Sequence, residues 1–551
     1  MCENGRRMRI RELLKTPDGH PRLFVPAIVV LLLTFAVGWG AMRIFQQTLP
    51  DDQRAASLAR TGRFASAEEI YVRLLRERPS VELAVALLEN HERARALKAM
   101  RSLRKLGLKS TGTSTEADEA VMADDALEAL LVNALPPEIS LVARFWRATD
   151  SGDLPSGLRE AIVVGAEREP PLPWYNHVLA REAARHQDVD EAAKRYEREG
   201  LAFPERRGDI DNAVILWIRA GNWDHVLERM QDPRFVAGTE PHTKYEIAVH
   251  ERDWKSAARW LAYAWRPRLT LTSVVMTAAA ALAWGFFCAR LGQLGHQLGR
   301  RLPLYVVAFV LGVLSVIPTA ALIAIEEAKF RLVETGDPLR DALFFVFGVG
   351  LREEASKVLL FLPLFPILRK YGDRLDVLVC GALVGLGFAA EENLGYLASG
   401  DLHTGLARFL TANFMHMAMT AIIVAALDDF VRDREKHAAD FSRTVALVVG
   451  LHGAYDFLLG HEEYGGSYFA MAAFFFLVKM FLGAVDHARR KADRGLTLTQ
   501  AFVIALAVVT GTSAVYAVAR VGPLHGATVM AEGLLGVAIL IYAFVRTLRE
   551  M

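Results

Sequence analysis

The stretch Leu351–Phe361, LREEASKVLLF, places two adjacent glutamates and a lysine in a segment that otherwise has the composition of an apolar helix. A charged side chain at the centre of a membrane helix costs about 2.5–3.5 kcal/mol on insertion scales, so adjacent glutamates need a physical reason. In a helix, Lys357 follows Glu353 by four residues and Glu354 by three, so its ammonium can reach a carboxylate and lower this cost. Alone, the pattern fits a salt-bridged packing cluster as well as a functional site.

Hydropathy divides the chain into two parts. Of 551 residues, 52% are apolar and 23% are charged; charge is dense from about 50 to 265, and long apolar runs follow from about 269. Ten segments approach the roughly 20 residues that a bilayer core requires. They lie near 23–44, 269–289, 303–325, 341–368, 376–398, 406–428, 443–460, 468–485, 499–519 and 526–546. We therefore predict an all-α fold: a polytopic membrane helix bundle of about ten spans and an α-helical solenoid outside the membrane.

The distribution of basic residues predicts the orientation. Lys and Arg are enriched in the N-terminal tail, in alternate loops and in the C-terminal tail, and short basic loops remain in the cytoplasm. Both termini are therefore predicted to be cytoplasmic. The predicted order is a cytoplasmic tail at 1–22, an uncleaved membrane anchor at 23–44, an extracytoplasmic domain at 45–265 and a membrane-embedded domain at 269–546.

The block outside the membrane contains a recurring local pattern. Its positions are Gly62, Phe64, Ala67, Tyr71 and Pro79, and the offsets return, counted from Gln187, at Val189, Ala192, Tyr196 and Pro204. Small residues let paired helices approach, aromatic residues fill the groove and proline ends the second helix, a pattern that resembles the tetratricopeptide repeat. Any amphipathic helical array is the alternative. Either fold predicts a curved solenoid that binds an extracytoplasmic peptide or protein.

Composition excludes several classes of function. The formal net charge is only +1, which argues against a nucleic-acid-binding protein. The three cysteines, Cys2, Cys288 and Cys380, lie far apart, so neither a disulfide framework nor a cysteine zinc cluster is indicated.

Three further apolar segments carry ionisable or amide side chains. The first contains Phe388, Glu392 and Asn393 in the spacing FxxxEN, and the next contains His416. The third contains His452 and Asp456, four residues apart and so on one helical face, where the carboxylate can orient the imidazole. At about 1.5 Å per residue, these side chains and the glutamates lie in the outer half to the middle of the bilayer. The agreement in depth predicts one polar pocket that opens toward the outer side.

Four motifs in this order on consecutive helices resemble the PrsW family of intramembrane proteases, relatives of the CAAX prenyl endopeptidases. The resemblance covers about 300–460 and implies a membrane-embedded protease core that hydrolyses peptide bonds of membrane-associated proteins, an anti-sigma factor in the best-known member. It also implies an integral protein of a bacterial inner membrane. An extra solenoid and about three extra spans depart from the compact family pattern and put that substrate in doubt. The implied site residues are Glu353, Glu354, Lys357, Glu392, Asn393, His416, His452 and Asp456.

Two chemistries are open for these residues. In the first, Glu353 or Glu354 is the general base and Lys357 helps to set its charge state. His416, His452 and Asn393 polarise the substrate carbonyl. In the second, a zinc ion is held by Glu354, Glu392, His416 and His452, because histidines and a carboxylate with an open position form a catalytic zinc site. The predicted cofactor is therefore none or Zn²⁺.

Two other classes of protein have similar features. Buried ionisable residues on several helices also occur in proton-coupled transporters, but these have a second, repeated cluster, and the last three apolar segments contain none. An inactive receptor or scaffold, whose solenoid binds a partner, is the third possibility.

Overall fold

The structure is a computed structural model that describes most of the chain. The described residues are 24–60, 63–105, 121–152, 154–264, 271–293, 298–330, 334–399, 402–460, 466–488, 496–521 and 523–550. The predicted cytoplasmic tail at 1–22 and Gly62 of the repeat pattern lie outside these residues.

Every regular element in the described ranges is a helix, which confirms the all-α prediction. The chain forms two compact units. The membrane unit comprises 1–40, 267–518 and 526–551, and the inserted unit comprises 41–266 and 519–525.

After α1 (Phe24–Thr48), the inserted unit consists of short helices. They are α2 (Asp51–Arg60), α3 (Phe64–Glu77), α4 (Val81–Lys105), α5 (Asp124–Asn133), α6 (Pro137–Ser151), α7 (Ser156–Ala166), α8 (Tyr175–Arg185), α9 (Val189–Ala202), α10 (Arg207–Arg219), α11 (Trp223–Arg229), α12 (Pro233–Gly238), α13 (Pro241–His250) and α14 (Trp254–Ala264).

Apolar spacing and capping explain these helices. In α3 the buried residues include Ala67, Ile70, Tyr71 and Leu74, which recur every three or four positions as expected for one packed helical face. In α9 the Asp188 side chain accepts a hydrogen bond from the Glu191 amide, a regular N-cap. Two apolar cores result, one formed by residues between 55 and 179 and the other by residues between 193 and 247. Membership of a specific repeat family stays a prediction.

The membrane unit contains longer, more apolar helices. They are α15 (Leu271–Leu291), α16 (Leu298–Leu314), α17 (Val316–Phe330), α18 (Pro338–Leu343), a π-helix π1 (Phe344–Gly350), α19 (Leu351–Phe361), α20 (Phe365–Tyr371), α21 (Arg374–Ser399), α22 (Leu402–Arg432), α23 (Arg434–Gly460), α24 (Gly466–Ala488), α25 (Leu498–Val521) and α26 (Pro523–Glu550).

Helix α21 lies in the middle of this unit. Residues 375–390 are all buried, and α21 packs against α15, α16 and α22. A helix that is apolar on all sides needs neighbours on all sides, so its composition explains its central position. Glycines allow the closest of these contacts: a Cβ at Gly387 would lie 2.1 Å from the Phe309 carbonyl oxygen of α16.

Fewer helices qualify as membrane spans than the ten predicted segments. By length and composition, five of the described helical stretches can cross a membrane, and a bent pair at Gly526–Leu535 and Val537–Leu548 makes a sixth. The five are Ser273–Leu291, Gly299–Ile323, Arg408–Arg432, Ala470–Ala488 and Leu498–Val518. In the predicted anchor, the apolar helix is shorter, Pro26–Ala41. The predicted segments 341–368, 376–398 and 443–460 are helical but contain most of the charged residues of the predicted site.

The segment 341–368 is also not one continuous helix, contrary to the sequence-based prediction. It consists of α18, π1, α19 and the start of α20. Pro366 lies in the first turn of α20, where proline is tolerated, and a turn at 362–364 separates α19 from α20. The π-helix ends directly before α19, and π-helical turns are frequent at functional sites.

Candidate active site

Close helix crossings bring the predicted site residues together. A Cβ at Gly453 of α23 would lie 2.4 Å from Val346 Cα of π1, and a Cβ at Gly350 would lie 2.8 Å from the Val449 carbonyl oxygen. Only glycine allows this backbone approach, which places His452 opposite the first turn of α19. A second crossing joins α21 and α22, where a Cβ at Gly385 would lie 2.1 Å from the carbonyl oxygen of His416.

Lys357 lies at the centre of the cluster. Its side chain is fully buried, and its Nζ lies 2.7 Å from Glu354 Oε1, 2.9 Å from His416 Nδ1 and 3.5 Å from Glu353 Oε2. The ammonium also lies 4.0 Å from the centre of the Phe388 ring, a cation–π contact. The predicted contact from Lys357 to a neighbouring carboxylate is therefore present, and it extends to both glutamates.

His416 connects Lys357 to Glu392. An ammonium only donates hydrogen bonds, so His416 Nδ1 accepts from Lys357 and the ring carries its proton on Nε2. That nitrogen lies 2.9 Å from Glu392 Oε2 and donates to it. The two contacts hold the imidazole in one tautomer and one orientation.

His452 faces both glutamates and its own helix neighbour. Its Nε2 lies 3.6 Å from Glu353 Oε2 and 3.4 Å from Asp456 Oδ2, and its Nδ1 lies 3.1 Å from Glu354 Oε1 without the geometry of a hydrogen bond. The rings of His416 and His452 meet edge to face, with centroids 5.3 Å apart. The two imidazoles are therefore in direct contact within the cluster.

Glu353 and Glu354 have different surroundings. Glu354 is 1% exposed, and its two oxygens accept hydrogen bonds from Lys357 and, at 3.1 Å, from the Thr420 hydroxyl. The side chain of Glu353 is 12% exposed, and its buried Oε2 has no hydrogen-bond partner. Glu354 is held in place, whereas Glu353 has an oxygen free for a water, an ion or a substrate.

Asn393 lies beside the cluster and makes its hydrogen bonds to residues around it. Its side chain donates to Asn413 at 2.7 Å and accepts from Arg408 at 3.1 Å. No contact joins it directly to the glutamates, lysine or histidines in the described part of the chain. It belongs to an outer layer around Glu392.

The cluster fits a divalent cation in ligand type and spacing. Glu353, His416 and His452 each offer one ligand atom, and these atoms lie within 4.8 Å of one another. This set differs from the predicted one: the oxygens of Glu354 are engaged by Lys357 and Thr420, and Glu392 is engaged by His416 and Arg408. Two histidines and a carboxylate with an open position are a common catalytic zinc set. Ligation by His416 requires that Lys357 release Nδ1 or that Glu392 release Nε2, because both ring nitrogens are hydrogen-bonded here.

The charges of the cluster allow a divalent cation but do not require one. With neutral imidazoles, four carboxylates (Glu353, Glu354, Glu392 and Asp456) face two cations, Lys357 and Arg408. Unbalanced charge in a low-dielectric interior is unfavourable, so the two excess negative charges require either protons or a divalent cation.

Three residues of the site were absent from the sequence-based prediction. All three lie on α22. Arg408 is eight residues before His416, Asn413 is three residues before it and Thr420 is four residues after it. These offsets place them on the same face as His416, so helical spacing around the predicted histidine is the signal that identifies them.

Comparison with known proteins supports the same assignment. Residues 300–483, which include the whole cluster, match the family model described as PrsW family intramembrane metalloprotease. These residues form a PrsW-family domain. The predicted resemblance to PrsW proteases is confirmed, and it does not favour the transporter or scaffold alternatives.

Two curated proteins are similar to this chain. The chain is 29% identical over 137 residues to "Protease PrsW" of Clostridioides difficile strain 630, covering 24% of this chain and 57% of that protein. It is 34% identical over 125 residues to "Protease PrsW" of Bacillus subtilis strain 168, covering 21% and 55%. The chain thus matches little more than half the length of these relatives. No solved structure matches.

Proposed function

We propose that this chain is an intramembrane endopeptidase whose PrsW-family domain cleaves membrane-associated proteins. One observation carries the proposal: Glu353 has a buried oxygen without a partner, and it faces His452, Lys357 and, through Lys357, His416. Hydrolysis requires a base for water, a stabilised oxyanion and a proton for the leaving amine, and these side chains can supply all three functions.

In this proposal Glu353 is the general base. Its Oε2 makes no hydrogen bond and can accept a proton from water. Glu354, in contrast, accepts hydrogen bonds from Lys357 and Thr420 and fixes their positions. Lys357 and His452 lie 3.5 and 3.6 Å from the same oxygen and stabilise the negative charge that develops next to it. Glu353 then donates this proton to the leaving amine and so acts as the general acid.

In the alternative, metal-dependent chemistry, Glu353, His416 and His452 would hold the divalent cation that the family description implies, and Glu353 would then be a ligand rather than the general base. Such an ion polarises a carbonyl and activates a bound water when it is present. Asp456 then orients His452, and Glu392 orients His416, as carboxylates do for metal-binding histidines.

The finer features are proposals of the same kind. We propose an integral protein of a bacterial inner membrane, with cytoplasmic termini and an extracytoplasmic inserted unit, which recruits substrates by binding their extracytoplasmic parts. Family resemblance suggests a membrane-anchored regulator such as an anti-sigma factor as substrate, and the additional inserted unit suggests a different choice of substrate from that of the compact relatives.

The test is cleavage of a membrane-peptide substrate by purified protein in detergent. Wild type should cleave, and Glu353→Gln should lose at least about a hundredfold in kcat, because removal of a general base forfeits about 10²–10⁴ in rate. Glu435→Gln, in the first turn of α23 and outside the cluster, is the matched control and should cleave like wild type. Equal cleavage by all three proteins would refute the assignment. A chelator arm, with activity restored by Zn²⁺ alone, tests the ion.

A further inference from the structure

Arg408 makes a three-sided contact at the edge of the cluster. Its Nη2 lies 3.0 Å from Glu392 Oε2, its Nε donates to Asn393 Oδ1 at 3.1 Å, and its guanidinium lies 3.6 Å from the centre of the Tyr396 ring. A planar guanidinium can bind two acceptors and stack on a ring at the same time, which an ammonium cannot do. Arg408 is therefore fixed in position rather than loosely paired.

The acceptor that Arg408 binds is the one that orients His416. Glu392 Oε2 accepts from both Arg408 and His416 Nε2. Asn393, the second partner of Arg408, is itself held by Asn413 of α22 at 2.7 Å. The guanidinium, the carboxylate and the amides thus form one network between α21 and α22.

This network determines where the imidazole of His416 points. Glu392 is 26% exposed on its side chain, so without a fixed cation beside it the carboxylate can turn toward water. His416 would then lose the acceptor for its Nε2 proton, and its Nδ1 would no longer be held toward Lys357.

We propose that Arg408 is a positioning residue for the reaction: through Glu392 it holds His416 in the tautomer and orientation that the catalytic cluster uses. The inference deepens the proposed peptidase function and rests on it. Arg408 touches none of the other cluster residues in the described part of the chain, so it acts through Glu392 and not on substrate.

A purely structural role is the competing explanation, and the chain offers a matched control for it. Arg374 Nη2 lies 2.7 Å from Asp429 Oδ2, and this pair joins the same two helices, α21 and α22, near their other ends. Arg374→Gln removes an equivalent ion pair between the same two helices, at a position far from His416. If Arg408 only joins the helices, the two glutamine variants should behave alike.

The experiment compares wild type, Arg408→Gln, Arg408→Lys and Arg374→Gln as full-length protein, with the same membrane-peptide substrate. Arg408→Gln should lower kcat by about 10- to 100-fold, the usual effect of removing an outer partner of a catalytic histidine, with KM unchanged. Arg408→Lys should recover only part of this loss, and Arg374→Gln should match wild type. Added guanidinium ion should rescue an Arg408→Ala variant but not His416→Ala.

A second readout is independent of activity. The ring nitrogen-15 signals of His416, assigned by their absence in His416→Gln, should shift in Arg408→Gln and stay unchanged in Arg374→Gln. Unchanged signals would overturn the inference even if no substrate is cleaved. Absence of cleavage by wild type with a shifted signal would instead reject the peptidase function alone. Equal kcat losses in the two arginine variants, without guanidinium rescue, would also overturn the inference.

Discussion

Glu353 and Glu354 are neighbours in sequence with opposite environments. The carboxylate of Glu354 accepts hydrogen bonds on both oxygens, from Lys357 and Thr420, whereas Glu353 keeps one buried oxygen unpaired. A buried acceptor that is hydrogen-bonded contributes to the stability of the fold, and one without a hydrogen bond lowers that stability.

The two glutamine variants should therefore differ in stability. Glu354→Gln removes the carboxylate that lies 2.7 Å from the buried Lys357 ammonium. We therefore expect the free energy of unfolding to fall by about 1–3 kcal/mol or more, together with loss of activity. Glu353→Gln should also lose activity, but its unfolding temperature should equal or exceed that of wild type. Thermal unfolding in detergent is the measurement, and an equal drop in both variants would contradict the distinction.

At this scale the sequence predicted which residues form the site but left open which of the two glutamates is the base. The four motifs identified Glu353, Lys357, His416 and His452 as neighbours from spacing and depth. The choice between the two glutamates depends on Thr420, whose hydroxyl comes from another helix, 66 positions along the chain. The spacing from His416 places Thr420 on the site face of its helix, but no local pattern indicates which of the two glutamates its hydroxyl contacts.

Helix crossings set the distances within the cluster. Gly453 packs against the backbone of π1 and Gly385 against the backbone of His416. These contacts are with backbone atoms, which cannot rotate away as the end of a flexible side chain can. Each crossing therefore acts as a fixed spacer next to a site histidine.

A methyl group at one crossing should separate the catalytic groups. In Gly453→Ala the new Cβ would lie 2.4 Å from Val346 Cα and 2.6 Å from the Phe345 carbonyl oxygen, so α23 must move away from π1 and carry His452 with it. A displacement of about 1 Å is enough to lower the rate about a hundredfold. Gly450→Ala, on the same helix with nothing within 4 Å of its Cβ, is the control and should retain activity. Equal kcat values in the two variants would show that this crossing does not position His452.

Sequence reasoning was weakest at the level of the element. It predicted one helix over 341–368, because a run of apolar residues looks the same whether the helix is straight or interrupted. The π-helix ends at Gly350, where the backbone packs against α23, and a turn at 362–364 separates α19 from α20. A hydropathy pattern does not contain such tertiary contacts.

In the inserted unit, a buried histidine joins three helices. His91 of α4 is 2% exposed; its Nδ1 lies 3.6 Å from Glu68 of α3 and its Nε2 lies 3.0 Å from Asp124 of α5. The carboxylates of Glu68 and then of Asp124 raise the pKa of His91 above its usual value, against the lowering effect of burial. Arg95 and Arg147 lie 3.4 and 3.5 Å from Asp124 Oδ1, the same oxygen that His91 contacts.

This arrangement predicts a pH-dependent stability of the inserted unit. Because the folded-state pKa of His91 is raised, its contribution is fully present below about pH 6.5, the pKa of an unperturbed histidine, and is lost as the pH rises through the folded value. His91→Gln should be less stable than wild type at pH 5.5 and should converge with it at alkaline pH. Hydrogen exchange of amides in α3–α5 is the measurement, and a constant difference across this range would refute the role of His91.

For the whole molecule, the candidate site lies within one of the two compact units. Every contact of the catalytic cluster described above is made by residues of the membrane unit, which has its own apolar core. Hydropathy and charge density predicted this separation of apolar and charged regions along the chain. No local motif of the inserted unit indicates a partner, because helical arrays recognise partners through a surface that the whole array creates.

Deletion of the inserted unit should therefore change substrate choice and not chemistry. We expect a variant that lacks residues 51–262 and carries a short linker to cleave a short generic membrane peptide at the wild-type rate, since the peptide has no extracytoplasmic part to recruit. Cleavage of substrates with a folded extracytoplasmic domain should change by tenfold or more, the effect of about 1.4 kcal/mol of binding free energy. The same deletion combined with Glu353→Gln is the control for residual protease contamination. If cleavage of the short peptide and of the large substrates were lost together, the inserted unit would be a requirement for the fold of the membrane unit rather than a recruiting surface.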